Sequence, residues 1–364
     1  MKNSPMKILL VAGARPNFMK IAPLIDAIKK HPSIHPVLVH TGQHYDEKMS
    51  GLFFHELGIP EPDVNLEVGS GSHAVQTAEI MTRFEPILLE QKPDCVLVVG
   101  DVNSTIACGL VAVKLGVRLI HVEAGLRSFD RDMPEEINRI LTDSISDILF
   151  CSEPSGVGNL MKEGVPEEKI HLVGNVMIDT LLRHRDKAEK SLILDDLQLR
   201  EKKFAVATIH RPANVDDEGT LTRIMSVLHV IGNDAPVVFP IHPRTKQRLA
   251  SWNIKNDPEK IIFTDPLGYL DFLKLVSSAC VVLTDSGGIQ EETTILKVPC
   301  LTLRENTERP CTVEIGSNQL VGTDPEKILS AYQAVQRGKI KAGNIPPLWD
   351  GNAAERIVTV LRNH

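Results

Sequence analysis

The chain is poor in several features, and each shortage excludes a class of protein. Aromatic residues make up only 4% of it, and no apolar run approaches the ~18 residues needed to cross a membrane. Six cysteines (Cys95, Cys108, Cys151, Cys280, Cys300, Cys311) are widely spaced with no CxxC pair, which excludes a disulfide scaffold and a thiolate metal site. Cys95, Cys151, Cys280 and Cys300 sit in or beside apolar strand-like runs, where a reduced thiol behaves as a small hydrophobe. A cytoplasmic protein is expected on that basis. There is no GxxxxGK[ST] and no HExxH, and the nearest glycine cluster, Gly69-Ser70-Gly71, lacks the GxGxxG spacing after a strand. A metal mechanism and a built-in nicotinamide are therefore not expected. The net charge of −7 argues against nucleic acid or a membrane surface as partner, so an anionic ligand would need locally gathered cations. Residues 1–5 are short and polar and a strand follows at once, so no secretory leader is expected.

The 364 residues that are present are long for one core and suit two domains. Short apolar runs alternate with amphipathic stretches, the pattern of β-α-β units on parallel sheets. Strands are predicted at 7–12, 37–40, 95–99, 118–122, 148–151 and 170–173, and helices at 17–29, 75–91, 104–115, 135–144, 154–162 and 176–184. The charge-rich stretch 183–203 interrupts this series. Further strands follow at 204–207, 237–240, 260–263, 281–283 and 300–303. The expected fold is α/β, two doubly wound Rossmann-like domains facing a cleft, spanning 1–185 and 200–345. A final helix within 350–364 is expected to return to the first domain. Ligands in such sheets bind beyond the carboxyl ends of the strands.

That rule selects candidates. Thr284-Asp285-Ser286-Gly287-Gly288-Ile289-Gln290-Glu291-Glu292 reads as strand, glycine turn and helix N-terminus. Paired glycines let backbone approach a ligand, and the first-turn N–H groups favour an anion. Glu292, about one turn on, is placed to accept from sugar hydroxyls; a diphosphate plus ribose fits, an ordinary loop being the alternative. After the first strand, Arg15 occupies a glycine-bearing turn and is an anion contact, whereas Lys20 by itself is expected to point into water. Asp101 follows the strand 95–99 and is either an acid/base group or an Asx turn or N-cap. Glu123 ends the strand 118–122 with no capping task in view. Asp132 and Glu135 fit a capping box. His210-Arg211 and His242-Pro243-Arg244 follow two strands and suggest a phosphate-facing rim, and Arg309 is a further cation before a helix.

In order along the chain, Gly13-Ala14-Arg15-Pro16, Gly100-Asp101, His121-Val122-Glu123-Ala124-Gly125-Leu126-Arg127, Pro134-Glu135-Glu136-Ile137-Asn138-Arg139, the run from Asp285 to Glu292 and Thr307-Glu308-Arg309-Pro310 resemble the non-hydrolysing UDP-N-acetylglucosamine 2-epimerases. The resemblance covers essentially the whole chain and implies a glycosyltransferase-B type fold. It implies substrate binding by Arg15, Lys20, Phe272, Ser286, Gly287, Gly288, Glu292 and Arg309, and catalytic roles for Asp101, Glu123, Glu135 and His210. It also implies activator contacts at Gln43, His44 and His242. Gln43-His44 is followed by Tyr45-Asp46, where activated members usually carry a further glutamine, so allosteric activation is left open. The opening Gly-Ala-Arg-Pro-Asn-Phe departs from the commoner Gly-Thr-Arg-Pro-Glu, which leaves room for a modified sugar.

The resemblance further implies reversible C2 epimerisation of UDP-N-acetylglucosamine to UDP-N-acetylmannosamine through UDP and 2-acetamidoglucal, without a cofactor. The product would serve surface polysaccharides, and the enzyme would be a homodimer. Alternatives are an epimerase of a 2,3-diacetamido uronic acid, a hydrolysing relative that releases N-acetylmannosamine, a glycosyltransferase, and a catalytically silent UDP-sugar sensor.

Overall fold

In the computed structural model, residues 5–42, 56–339 and 343–363 are described. The chain forms two compact units, Met1–Arg183 with Pro347–His364, and His184–Pro346. In the first, seven strands run β1 (Met6–Ala12), β2 (Ile34–His40), β3 (Val64–Asn65), β4 (Cys95–Val99), β5 (Arg118–Val122), β6 (Ile148–Cys151) and β7 (Ile170–Leu172). All pair in parallel, in the order β3-β2-β1-β4-β5-β6-β7. Every residue of β4 is buried, which explains a continuous apolar run instead of an alternating one: helices cover both faces of a parallel sheet.

The second unit repeats the plan with β8 (Ala205–Thr208), β9 (Val237–Pro240), β10 (Ile261–Thr264), β11 (Val281–Thr284), β12 (Cys300–Thr302) and β13 (Asn318–Leu320), ordered β10-β9-β8-β11-β12-β13. In each unit the chain winds outward from its first strand, then returns to pair that strand's other edge. The reversals fall between β1 and β4 and between β8 and β11, and crevices open at such switch points. The α/β, doubly wound expectation is met. The edge strands β3 and β13 were not legible, being two and three residues long and partly polar.

The last helix, Ala353–Asn363, packs on the helix Arg15–Lys29 of the first unit. Asp179 accepts the backbone N–H groups of Ala353 (3.1 Å) and Ala354 (2.7 Å), capping that helix from a distant point in sequence. Trp349, buried just before it, donates Nε1–H to the Ser152 carbonyl at 2.9 Å. All six cysteines are free thiols, and burial pushes that of Cys95 up to about 12. No helix among the described residues is long and apolar enough to cross a membrane.

Candidate functional site

At the first switch point, β1 ends in a turn that Asn17 organises. Its Oδ1 accepts from the N–H groups of Gly13 (3.0 Å) and Ala14 (2.9 Å), while its Nδ2 donates to the Val99 carbonyl at the end of β4 (3.1 Å). The unusual Asn of this motif is thus used inside the protein, joining the two central strands. Arg15 then opens the helix Arg15–Lys29. Lys20, expected in water, is instead buried and forms an ion pair with Glu123. The expectation failed because it treated Lys20 as a lone charge, without the carboxylate that ends β5.

Glu123 has φ +75°, a left-handed conformation that costs a non-glycine residue on the order of 1–3 kcal/mol. Beside it, Gly100 (φ +68°) ends β4, and a Cβ there would lie 2.8 Å from Lys20 Nζ. Glycine therefore leaves room for the ammonium. Asp101 follows. The N-cap position of the helix Asn103–Lys114 is Val102, and the Asp101 Oδ2 meets Arg139 Nη1 at 2.6 Å.

Beneath these carboxylates is a network that sequence reasoning missed. His121, fully buried, has Nδ1 at 2.7 Å from Asp143 Oδ1 and Nε2 at 2.8 Å from the Gly100 carbonyl. Asp143 also accepts from Gly125 N–H and from Arg127, which forks onto Glu163. Burial alone would raise the Asp143 carboxyl, but His121 and Arg127 outweigh it and hold it below the usual range. The expected capping box at Asp132 is absent: the helix Pro134–Ile145 starts after Met133 with no side-chain cap. Pro134 at the first position already lacks an N–H. Glu135 lies partly exposed in that first turn, whereas its neighbour Glu136 is buried and accepts from Ser128 N–H, Ser128 Oγ–H and Phe129 N–H. The signal that could have separated them was the arginine three residues after Glu136, on the same helix face.

The second switch point gathers a different set. Asp285, at the end of β11, is fully buried and accepts from the N–H groups of His210 (3.0 Å) and Arg211 (2.9 Å), from Asn214 Nδ2 (3.1 Å) and, at 2.9 Å, from His210 Nδ1. Burial would raise this carboxyl; His210, the Arg211 amide and Asn214 lower it overall. An ionised partner fixes the His210 ring and tautomer while over half of its side chain stays exposed. Ser286 is the N-cap of the helix Gly287–Leu296, so Gly287 and Gly288 supply its first-turn N–H groups.

Near that turn, Arg309 donates Nε–H to Glu291 (2.7 Å) and lies 3.1 Å from Glu308, which Arg304 and Arg211 also approach. Against burial, Arg309, Arg304 and Arg211 bring the Glu308 carboxyl well below its ordinary range. Glu292 contrasts with it. It is wholly buried, neither oxygen meets a donor at hydrogen-bond geometry, and the Tyr269 hydroxyl is its polar neighbour. Burial, with Glu291 alongside, pushes its carboxyl from 4.5 up to about 8.

Phe272, on the helix Tyr269–Ser278, is half-buried against the apolar cluster of Phe204, Val206 and Val282. His242 is exposed and caps its own helix, Pro243–Ser251, accepting from Arg244 N–H, while Arg244 pairs with Asp216. The expected rim at His242 is thus occupied by capping and surface pairing. Gln43 and His44 lie outside the described residues. Among the described residues no three of His, Cys, Asp and Glu gather as a metal-binding group.

A family model described as UDP-N-acetylglucosamine 2-epimerase matches residues 26–362. The chain belongs to that family. A UDP-N-acetylglucosamine 2-epimerase of Methanocaldococcus jannaschii is 45% identical over 370 aligned residues, covering 98% of this chain and 99% of that protein. A UDP-2,3-diacetamido-2,3-dideoxy-D-glucuronate 2-epimerase of Pseudomonas aeruginosa is 42% identical over 359, covering 98% and 99%. The crystal structure of the M. jannaschii epimerase in complex with UDP-GlcNAc and UDP superposes with a TM-score of 0.91 at 44% identity, over 99% of this chain and 100% of that one. The two-sheet α/β architecture of this chain is therefore that of the family.

Proposed function

We propose that the protein reversibly epimerises UDP-N-acetylglucosamine at C2, giving UDP-N-acetylmannosamine. The observation that carries this reading is the pair of carboxylates at one switch point, Asp101 and Glu123, each held by a buried cation, Arg139 and Lys20. The C2 proton of the pyranosyl sugar is not adjacent to a carbonyl, so direct abstraction is too hard. Elimination removes the difficulty. The C1–O bond breaks, its electron pair leaves on the diphosphate of UDP, and the C2 proton passes to a carboxylate, leaving a C1–C2 double bond in 2-acetamidoglucal. In return a UDP oxygen adds to C1 and a second group protonates C2 on the opposite face. Asp101, Glu123 and Glu135 are the candidates for these transfers.

In this reading the first unit carries the carboxylates and the second binds UDP. The Ser286-Gly287-Gly288 turn, His210, Arg15 and Arg309 serve the diphosphate, and Glu292 takes the ribose hydroxyls. Two buried carboxylate oxygens that no protein donor meets at hydrogen-bond geometry, with the Tyr269 hydroxyl as neighbour, suit a ligand that brings hydroxyls of its own. Phe272 and Lys20 complete the proposed substrate set. Allosteric roles for Gln43, His44 and His242 stay part of the proposal, the last at its cap position. A cytoplasmic homodimer feeding surface polysaccharide synthesis goes with the same reading, and mass photometry checks the dimer.

A second reading, a 2,3-diacetamido uronic acid as the sugar, is favoured by the 42% identity to the Pseudomonas epimerase. Incubation with each UDP-sugar in deuterated water, followed by proton NMR, decides. A mixture of two UDP-sugars carrying deuterium at C2 supports epimerisation of whichever sugar reacts. Stoichiometric UDP and free sugar would mean hydrolysis, and no turnover of either would leave a sensor.

A further inference from the structure

Glu136 and Arg139 lie one turn apart on the helix Pro134–Ile145; Glu136 is not among the groups proposed above, and Arg139 enters there only as the cation beside Asp101. Both are buried. Arg139 donates Nε–H (3.1 Å) and Nη2–H (2.6 Å) to the same oxygen of Glu136, and its Nη1 reaches Asp101 Oδ2 at 2.6 Å. A guanidinium is rigid and planar, so fixing one edge on Glu136 aims the remaining donor. Glu136 is itself fixed: one oxygen accepts Ser128 N–H and Oγ–H, both at 3.0 Å, and the other accepts Phe129 N–H at 2.9 Å. Phe129 is left-handed, φ +59°, and largely exposed. A bulky residue keeps such a conformation only where its surroundings impose it. Asp101, by contrast, is 23% exposed, so this chain of bonds runs from a buried anchor to a carboxylate that ligand can reach.

We infer that Arg139, oriented by Glu136, is a positioning residue that holds Asp101 ionised and in one orientation, and that Glu136 ties this orientation to the Ser128-Phe129 turn. What Asp101 does rests on the epimerase reading; how it is held does not. Held this way, Asp101 begins a turnover as a proton acceptor. Other charged and titratable groups face the same turn. Lys20 comes from the helix Arg15–Lys29, and Glu123 and His121 come from β5 and its end. His73 joins through Asn103, which also meets Asn138. Glu136 opposes the Arg139 charge from the same helix. Arg139 is in direct contact with the Asp101 carboxylate, so its removal should be felt there first.

The test is carbon-13 NMR of aspartate-labelled protein, with the Asp101 carboxyl signal assigned by its loss in Asp101→Asn. In Arg139→Met the Asp101 titration midpoint should rise by about one pH unit or more, and in Arg139→Lys by less. Alongside, the rate of deuterium entry at C2 should fall on the order of 100-fold in Arg139→Met, with UDP affinity within about threefold of wild type. The acid limb of the kcat/KM profile should move upward with the NMR midpoint. A helix anchor with no tie to Asp101 would move neither, and an unchanged midpoint and acid limb overturn the inference. If Arg139→Met does not fold, Arg139→Lys and Glu136→Gln decide by the same midpoint. Wild-type protein that turns over neither UDP-sugar would defeat the epimerase reading, while the NMR titration would still decide how Asp101 is held.

Discussion

Replacing Glu292 by glutamine should strengthen the fold and weaken the site. The wild-type carboxyl is buried with a folded-state pKa near 8, against 4.5 when unperturbed. Because the folded value is the higher one, the stability associated with this group is fully present below pH 4.5 and is lost as pH rises through 8. At ~1.4 kcal/mol per unit, the loss is about 1 kcal/mol at pH 5 and about 3 kcal/mol at pH 7. A glutamine has the same shape and no proton to lose, so Glu292→Gln escapes that loss. Its Tm should exceed that of wild type by roughly 6–12 °C at pH 7, with the gap shrinking towards pH 5. UDP binding should move the other way. An amide nitrogen facing ribose hydroxyls loses a charge-assisted bond of ~1.5–3 kcal/mol, a fall of roughly 10- to 150-fold in affinity. Wild-type binding should also release a proton near pH 7, seen as a buffer-dependent enthalpy in titration calorimetry. A Tm gap equal at pH 5 and pH 8, or unchanged UDP affinity, would refute this reasoning.

Glu123→Gln should keep UDP affinity while abolishing deuterium entry at C2; exchange at the wild-type rate would remove Glu123 from the chemistry. Gly287→Ala would place a methyl 2.7 Å from Glu308 Oε1 and 3.3 Å from Arg309 Cζ, so UDP affinity should drop about tenfold or more with the far-ultraviolet dichroism intact. Asp179→Ala removes the acceptor for two amides at the start of the helix Ala353–Asn363, costing ~1–2 kcal/mol. Hydrogen exchange should quicken across that helix first, and uniform protection would count against the cap.

The central strands were legible because burial on both faces writes them as apolar runs: 95–99, 118–122, 148–151 and 237–240 coincide with β4, β5, β6 and β9. β3 and β13 escaped because a two- or three-residue edge strand carries too little pattern. Strand ends pointed to Asp101, Glu123, His210 and Asp285, since the position after a parallel strand is readable once the strand is. Partners were not readable. Lys20 with Glu123, Arg139 with Asp101 and His210 with Asp285 join residues 38 to 103 positions apart, and no local pattern records which charge a fold brings beside which. Asp132 misled for a related reason: a capping box describes a side chain's local option, and Pro134 had already removed one N–H that such a cap would serve.

The return of the helix Ala353–Asn363 to the first unit has a consequence for biogenesis. That unit is discontinuous in sequence: its sheet is finished by β7, but the helix that covers Arg15–Lys29 and satisfies Asp179 is translated only after the whole second unit. While the ribosome makes residues 184–346, the first unit waits with an apolar flank uncovered, and the second unit can fold without interruption. Loss of the last dozen residues should therefore injure the unit farther away in sequence, leaving the nearer one intact.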